Sequence, residues 1–145
     1  MYKKILVPLD GSKTAEEVLP HAKALAYSEG AEIILLNVVA NPAMEFAFSD
    51  PGIAAKAIAE EEKLGRKYMK EMEARLKSEK FKVSTVISEG SVANAILGTA
   101  DQMGVDVIAM STHGRTGPAR WFIGSVAEKI VHHSKIPVIL IRSNS

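Results

Sequence analysis

Five short apolar segments, separated by stretches with helical periodicity, constrain the fold of this chain more than any other feature. They contain near-continuous apolar runs such as ILVPL, IILL and VILI, which are typical of strands covered on both faces in a parallel sheet. The third segment alternates between apolar and polar residues, as expected nearer a sheet edge. The segments are Lys3 to Leu9, Glu32 to Val39, Phe81 to Ser88, Val105 to Met110 and Ile136 to Ile141.

Four stretches between these segments carry the periodicity and end signals of helices. Gly30 and Gly104 are placed to end the first and the third, because glycine adopts the left-handed conformation that closes a helix. The fourth begins with the capping-box pattern Ser-Val-Ala-Glu, and the second has one apolar stripe formed by Leu64, Tyr68, Met72 and Leu76. The predicted helices run from Ser12 or Thr14 to about Ser28, from Ile53 to Glu79, from Ser91 to about Met103, and from Ser125 to near Ser134.

The order of these elements is βαβαβαβαβ, which predicts the α/β class: a parallel sheet between helices, built from right-handed crossovers. A chain of 145 residues is long enough for a full core without disulfides or metals, and we expect one domain over residues 1–145. One irregular insert, Ala40 to Gly52, interrupts the pattern after the second strand. Loops of that length in a compact domain are usually functional or mobile, although a plain surface excursion is an equally good interpretation.

Charge and cysteine content exclude several classes of protein. The formal net charge is +1, so no overall field attracts nucleic acid or an anionic membrane. The absence of cysteine removes thiol nucleophiles and Cys-ligated metals. The apolar run near the start is too short for a secretory signal, and no run approaches the roughly 18 residues of a membrane span. We therefore expect a cytoplasmic protein that binds neither nucleic acid nor membranes.

Two predicted strands end in unusual loops. Ligands of open α/β sheets bind beyond the carboxyl ends of the strands, where the strand order reverses. The first strand runs into Asp10-Gly11-Ser12, and the fourth into a glycine-rich loop that leads to Gly124-Ser125 and the last helix. Glycines permit close approach of the backbone, and the free N–H groups at a helix start favour anions. The loop also carries the positive charges of Arg115 and Arg120.

Each of these features has a plain structural interpretation. Gly124-Ser125 can be only a helix start at which Ser125 caps its own helix, Asp10 can be a turn residue, and His113 can serve only loop hydrogen bonding. Sharper motifs are missing: the chain has no phosphate loop of the Gly-Lys type, no G-x-G-x-x-G after the first strand, no G-x-S-x-G and no histidines at metal-ligand spacing. Asp10 alone does not provide the acid cluster of a phosphoryl-accepting receiver.

The segments ILVPLDGS (5–12) and STHGRTGPARWFIGSVAEKIVHHSKIPVILIR (111–142) together resemble the universal stress protein family. The resemblance covers essentially the whole chain. It implies a Rossmann-like fold of the adenine nucleotide alpha hydrolase type, with a five-stranded sheet of order 3-2-1-4-5 and helices on both faces. ATP-binding members carry G-x-x-G, nine residues, then G-[ST]. Here Gly114 and Gly124-Ser125 match that motif, and Ser111 replaces its first glycine.

The resemblance also implies a set of nucleotide-binding residues. Asp10 would accept from the adenine amino group and the Val38 backbone would meet the adenine edge, while Pro8 and Met110 would line the base and ribose. Ser111 would add a side chain at the ribose, where it would either crowd the ligand or hydrogen-bond to it. The remaining members of the predicted site follow the phosphate path: Leu9, His113, Gly114, Arg115, Gly124, Ser125 and Val126.

From this resemblance we predict a small cytoplasmic ATP-binding protein that acts in the stress response as a nucleotide-responsive regulator or chaperone-like module. Mg²⁺ or Mn²⁺ would be carried by the phosphates of ATP. One alternative is a dimeric interaction module of the same fold that binds no nucleotide. Another is a slow ATP hydrolase that uses His113 or Asp10. The strand Ile136 to Ile141 would be an edge strand without an internal charge, so we expect a homodimer formed through it.

Overall fold

The computed structural model describes residues 1–39, 50–113 and 124–143. Strands alternate with helical segments along these residues as the sequence predicts, except that two helices instead of one follow the first strand. The strands are β1 (Lys4–Pro8), β2 (Glu32–Val39), β3 (Val83–Glu89), β4 (Val107–Ser111) and β5 (Val138–Ile141). The helices are α1 (Lys13–Glu16), α2 (Leu19–Glu29), α3 (Pro51–Ser78), α4 (Val92–Gln102) and α5 (Ser125–His133).

The described strands form one parallel sheet of order β3-β2-β1-β4-β5. This order confirms the predicted α/β fold class. β1 pairs with β2 from Lys4 opposite Glu32 to Pro8 opposite Leu36, and on its other side it pairs with β4. The chain builds the sheet outward from β1 to β3 and then returns to add β4 next to β1. The strand order therefore reverses between β1 and β4, at the carboxyl ends where the two unusual loops begin.

Helices cover both faces of the sheet. On one face, apolar residues of α1, α2 and α3 pack against Ile5 and Val7 of β1 and Ile33 and Leu35 of β2. On the other face, residues of α4 and α5 pack against the neighbouring positions of the same strands, such as Leu6 of β1. Successive side chains of a strand point to opposite faces. The near-continuous apolar runs in the sequence therefore supply both cores at once.

The first predicted helix is wrong in one respect, because it divides into α1 and α2. Ser12 caps α1 as expected, and Gly30 ends α2 with a φ of 66°. Pro20 lies in the first turn of α2, and proline is tolerated there because the N–H that it lacks has no partner within the helix. One continuous helix would need that N–H, so the chain begins a new helix at Leu19.

The predicted apolar stripe of α3 is wrong at its first position. Leu64 is 55% exposed, whereas Gly65, Met69, Met72 and Leu76 are buried. The buried stripe therefore starts one residue later and includes a glycine, which carries no apolar signal in the sequence. Elsewhere the predicted boundaries agree within two or three residues, and β2 begins and ends where the sequence placed it.

Part of the predicted insert and of the glycine-rich loop lies outside the described residues, namely 40–49 and 114–123. No helix within the described ranges is both long and apolar enough to cross a membrane.

Candidate functional site

The carboxyl end of β1 forms a tight turn around Asp10. One carboxylate oxygen of Asp10 accepts hydrogen bonds from the backbone N–H of Ser12 (2.9 Å) and from its hydroxyl (2.5 Å). The Ser12 hydroxyl oxygen in turn accepts from the N–H of Ala15 at 3.1 Å and caps α1. Gly11, with a φ of 88°, permits the reversal of direction. These bonds hold the Asp10 carboxylate at the end of the strand.

The end of β4 is joined to α1 through Ser111. This residue is 6% exposed, and its hydroxyl lies 2.9 Å from the carbonyl oxygen of Thr14 and 3.2 Å from that of Ala15. Both carbonyls belong to a four-residue helix, in which the last carbonyls need partners beyond the helix, and that of Thr14 also accepts from the Glu17 N–H at 3.2 Å. The serine at the motif's glycine position thus stabilises α1 against β4, and its hydroxyl hydrogen is committed within the protein.

The start of α5 lies directly against the chain that leaves β4. The N–H of Gly124 donates to the Thr112 carbonyl oxygen at 2.9 Å. A Cβ atom on Gly124 would lie 2.8 Å from that oxygen and 3.7 Å from Cδ2 of His113. The Thr112 hydroxyl is 3.2 Å from Nδ1 of His113. The imidazole and the first turn of α5 are therefore held side by side.

The first residue of α5 differs from the capping-box prediction. Gly124, not Ser125, is the N-cap, and no side-chain cap hydrogen bond is made. Ser125 is the first residue inside the helix. The N–H groups of the first helical turn therefore receive no capping side chain, and the positive end of the helix dipole adds to their preference for an anion.

A buried asparagine at the end of β2 is part of the site and was missed in the sequence. Asn37 is 7% exposed, and its side-chain amide donates to the carbonyl oxygen of Leu9 at 3.0 Å. Above it, α3 comes so close that a Cβ atom on Gly65 would lie 2.6 Å from Oδ1 of Asn37. A polar residue inside the run EIILLNVV is the signal that sequence analysis could have used, since buried polar groups need partners.

A side-chain hydrogen bond from Tyr68 joins α3 to α1. The Tyr68 hydroxyl donates to a carboxylate oxygen of Glu16 at 2.7 Å. Burial raises the pKa of the Tyr68 phenol, and the negative charges of Glu16 and Asp10 raise it further. Tyr68 therefore stays neutral and remains a donor. The sequence placed Tyr68 only in an apolar stripe, because its partner is 52 residues away along the chain.

The structure brings most of the predicted site residues to one region at the carboxyl ends of the strands. Pro8, Leu9 and Asp10 end β1, Met110 and Ser111 end β4, and Val38 lies in the neighbouring strand β2. His113 follows β4, and Gly124, Ser125 and Val126 begin α5. Gly114 and Arg115 lie outside the described residues. In the ranges that the structure describes, no group of three or more His, Cys, Asp or Glu side chains could hold a metal ion.

Comparison with known proteins gives one consistent family. The profile of the universal stress protein family matches residues 1–142. A curated relative, universal stress protein MJ0577 of Methanocaldococcus jannaschii, is 35% identical over 161 aligned positions, which cover all of this chain and 98% of that protein. A solved structure of MJ0577 superposes with a TM-score of 0.88 at 33% identity, covering 100% of this chain and 99% of that one.

Other solved structures agree on the fold. Universal stress protein UspA from Lactobacillus plantarum superposes with a TM-score of 0.84 at 26% identity, covering 97% of this chain and 98% of that one. Two more distant structures share the fold alone. One is a universal stress protein in complex with cAMP, with a TM-score of 0.63 at 18% identity over 99% of this chain and 98% of that one. The other is a family protein from Arabidopsis thaliana with AMP bound, with a TM-score of 0.71 at 15% identity over 99% of this chain and 93% of that one.

Proposed function

Because the chain belongs to the universal stress protein family, we propose that it binds ATP at the carboxyl ends of β1 and β4 and acts in the cytoplasm as a nucleotide-responsive regulator in stress. The observation that carries this proposal is the start of α5, where Gly124 leaves no room for a side chain and no side-chain cap occupies the first turn. Two proteins of the same fold hold cAMP and AMP, which supports an adenine nucleotide as the ligand.

The phosphates of ATP would lie at the start of α5. The uncapped N–H groups of its first turn and the helix dipole provide an anion site. His113 adds a further donor, since its imidazole lies beside the Gly124 position. Mg²⁺ or Mn²⁺ would arrive with the phosphates of ATP. The sequence between His113 and Gly124 also carries two positively charged residues, Arg115 and Arg120.

The adenine would lie at the ends of β1 and β2. The bonds from Ser12 fix Asp10 at this edge, and a carboxylate there is an acceptor for the exocyclic amino group of adenine. Guanine presents an oxygen at the equivalent position, which a carboxylate repels. Asp10 therefore favours adenine over guanine.

The expected affinity follows from the number of polar contacts. Three charge-assisted hydrogen bonds contribute about 1.5–3 kcal/mol each, and association costs about 4–15 kcal/mol. Even the most favourable balance, about 5 kcal/mol, is far below the roughly 12 kcal/mol of nanomolar binding, so these contacts predict weak binding. Such an affinity suits a protein that responds to changes in an abundant nucleotide.

Two measurements test the proposal. The purified protein is denatured, and the released small molecules are identified by anion-exchange chromatography. ATP is expected, and a protein that releases no nucleotide and shows no ATP binding by calorimetry would refute the proposal. Asp10→Asn should lose most of the preference for ATP over GTP, because the amide can donate to the guanine oxygen. An unchanged preference would show that Asp10 is only a turn residue.

We also propose that the protein forms a homodimer through β5. This strand lies at one edge of the described sheet, and its four residues, Val138–Ile141, are all apolar and only partly buried. Pairing β5 with β5 of a second copy about a two-fold axis would cover this edge in both copies at once. Ile139→Lys should convert the dimer to a folded monomer in light scattering. A wild-type mass near 15.6 kDa across the micromolar range would contradict the dimer.

A further inference from the structure

The hydrogen-bond ladder between β1 and β2 stops abruptly at the candidate site. Its last rung runs from the Leu9 N–H to the Leu36 carbonyl oxygen at 2.8 Å. In a regular parallel ladder the next rung would run from the Val38 N–H to the Leu9 carbonyl oxygen. That bond is absent from the backbone pairs of the described residues. The Leu9 carbonyl oxygen instead accepts from the side-chain amide of Asn37 at 3.0 Å.

The direction of the Val38 backbone follows from the neighbouring bonds. The Ile33 N–H donates toward β3 at Lys82, and the Leu36 carbonyl oxygen accepts from Leu9 on the β1 side. Because residues of a parallel strand alternate between their two neighbours, the N–H and C=O of Val38 point to the β1 side. They face the place where β1 has already turned into the Asp10 loop.

The position of Asn37 is fixed by the packing of α3. Asn37 is on the face of the sheet that α3 covers, and a Cβ atom on Gly65 would lie 2.6 Å from its Oδ1. The amide therefore has a helix backbone directly above it and the Leu9 carbonyl beside it. The other residues of the strand are mostly apolar. The Leu9 carbonyl oxygen is therefore the acceptor that this arrangement gives to the buried amide.

We propose that Asn37 is a positioning residue that keeps the β1–β2 ladder open, so that the N–H and C=O of Val38 can pair with the base of the bound nucleotide. An adenine edge presents an acceptor nitrogen next to a donor amino group, which matches one N–H and one C=O on a strand edge. Asn37 itself does not touch the ligand. This inference rests on the proposed function and on the Val38 contact with adenine that the family resemblance implies, and it adds the part that Asn37 plays in keeping that contact available.

The first arm of the test needs no nucleotide. Amide hydrogen exchange of Val38 is measured in the ligand-free protein and in Asn37→Leu, which has a similar volume but no donor. Without the amide, the Leu9 carbonyl oxygen is free to accept from Val38 and complete the rung. The exchange rate of Val38 is expected to fall about tenfold. Asn37→Ala, which relieves any crowding against Gly65, provides the same comparison if leucine is not accommodated.

The second arm separates base recognition from general stability. In both variants the affinity for ATP should fall about tenfold, whereas the affinity for inorganic tripolyphosphate, which lacks a base, should not change. The matched control is Thr99→Val, which removes another buried polar side chain, on α4 at the opposite face of the sheet. It should leave the Val38 exchange rate and both affinities unchanged.

The outcomes distinguish this inference from the proposed function. A wild-type protein that binds no ATP overturns the proposed function and the base recognition with it. A protein that binds ATP, with Val38 exchange and ATP affinity unaltered in the Asn37 variants, overturns only the role of Asn37. Equal weakening of ATP and tripolyphosphate binding also overturns it, because Asn37 would then act on the whole site.

Discussion

Replacing Gly124 with alanine tests the geometry of the α5 start most directly. The φ of Gly124 is −60°, which alanine adopts without strain, so the effect of the change comes from space alone. The added Cβ would lie 2.8 Å from the Thr112 carbonyl oxygen, about 0.6 Å closer than the 3.4 Å at which ordinary contact begins. That oxygen belongs to the backbone and also accepts the Gly124 N–H at 2.9 Å. The backbone segments around Gly124 and Thr112 must therefore move apart.

The size of the effect can be estimated for the protein with and without nucleotide. Overpacking of this kind typically costs about 1–3 kcal/mol. For a chain of this size that corresponds to a fall in Tm of about 3–10 °C in the absence of ligand. Displacement of the first N–H groups of α5 should also weaken ATP binding about tenfold. At about 100 times the wild-type Kd, the stabilisation by ATP then falls from about 2.7 to about 1.4 kcal/mol.

The assay is thermal unfolding followed by circular dichroism, with and without ATP, together with calorimetric titration. The matched control is Gly98→Ala on α4, where an added Cβ has nothing within 4 Å. Alanine there should raise the stability by about 0.4–1 kcal/mol and leave the ATP shift unchanged, since alanine is the better helix former. If Gly124→Ala retained the full Tm and the full ATP shift, the close contact with Thr112 and the phosphate site at α5 would both be refuted.

Two further predictions concern residues around the site and at the opposite edge of the sheet. Ser111→Ala should lower the free energy of unfolding by about 1–2 kcal/mol, measured by urea titration, because the hydroxyl that donates to the Thr14 and Ala15 carbonyl oxygens is removed. ATP affinity should stay the same, and a large loss would mean that the hydroxyl contacts the ligand. The backbone N–H groups of Lys3 and Lys4 donate to the Asp106 carboxylate and lower its pKa. The stabilising contribution of the charged carboxylate is therefore complete above the ordinary aspartate pKa of about 3.9. It is lost as the pH falls through the lowered pKa. Asp106→Asn should accordingly flatten the acid side of a stability-against-pH curve, and parallel curves for the two proteins would contradict this assignment.

Much of the fold could be predicted because its signals are local. The continuous apolar runs of β1 and β2 indicate strands buried on both faces, and Gly30 and Gly104 mark helix ends through a backbone conformation that glycine favours. The division between α1 and α2 was also readable, since Pro20 is a local signal that outweighs periodicity. The meeting of the Asp10 and Ser111 loops followed from the general rule for parallel sheets and from the resemblance.

The details of the site were beyond prediction because they depend on atoms brought together by packing. Ser125 carries the local pattern of a cap, yet Gly124 is the N-cap, because the Thr112 carbonyl takes the Gly124 N–H and fixes where the helix begins. The partner of the Ser111 hydroxyl is 97 residues away along the chain. No sequence window contains both groups of such a pair.

Periodicity, turn residues and glycine spacing along the chain were enough to predict the order of the elements and the parallel sheet, and the motif residues carried the resemblance to the family. Three features of the site could be seen only in the folded protein: the carbonyl to which Asn37 donates, the lack of room for a side chain at residue 65, and the end of the β1–β2 ladder at Leu36. Each of them depends on distances in space between residues that are far apart along the chain. A buried polar group takes the partner that packing places within about 3 Å, and that partner is set by how α3 lies on the sheet.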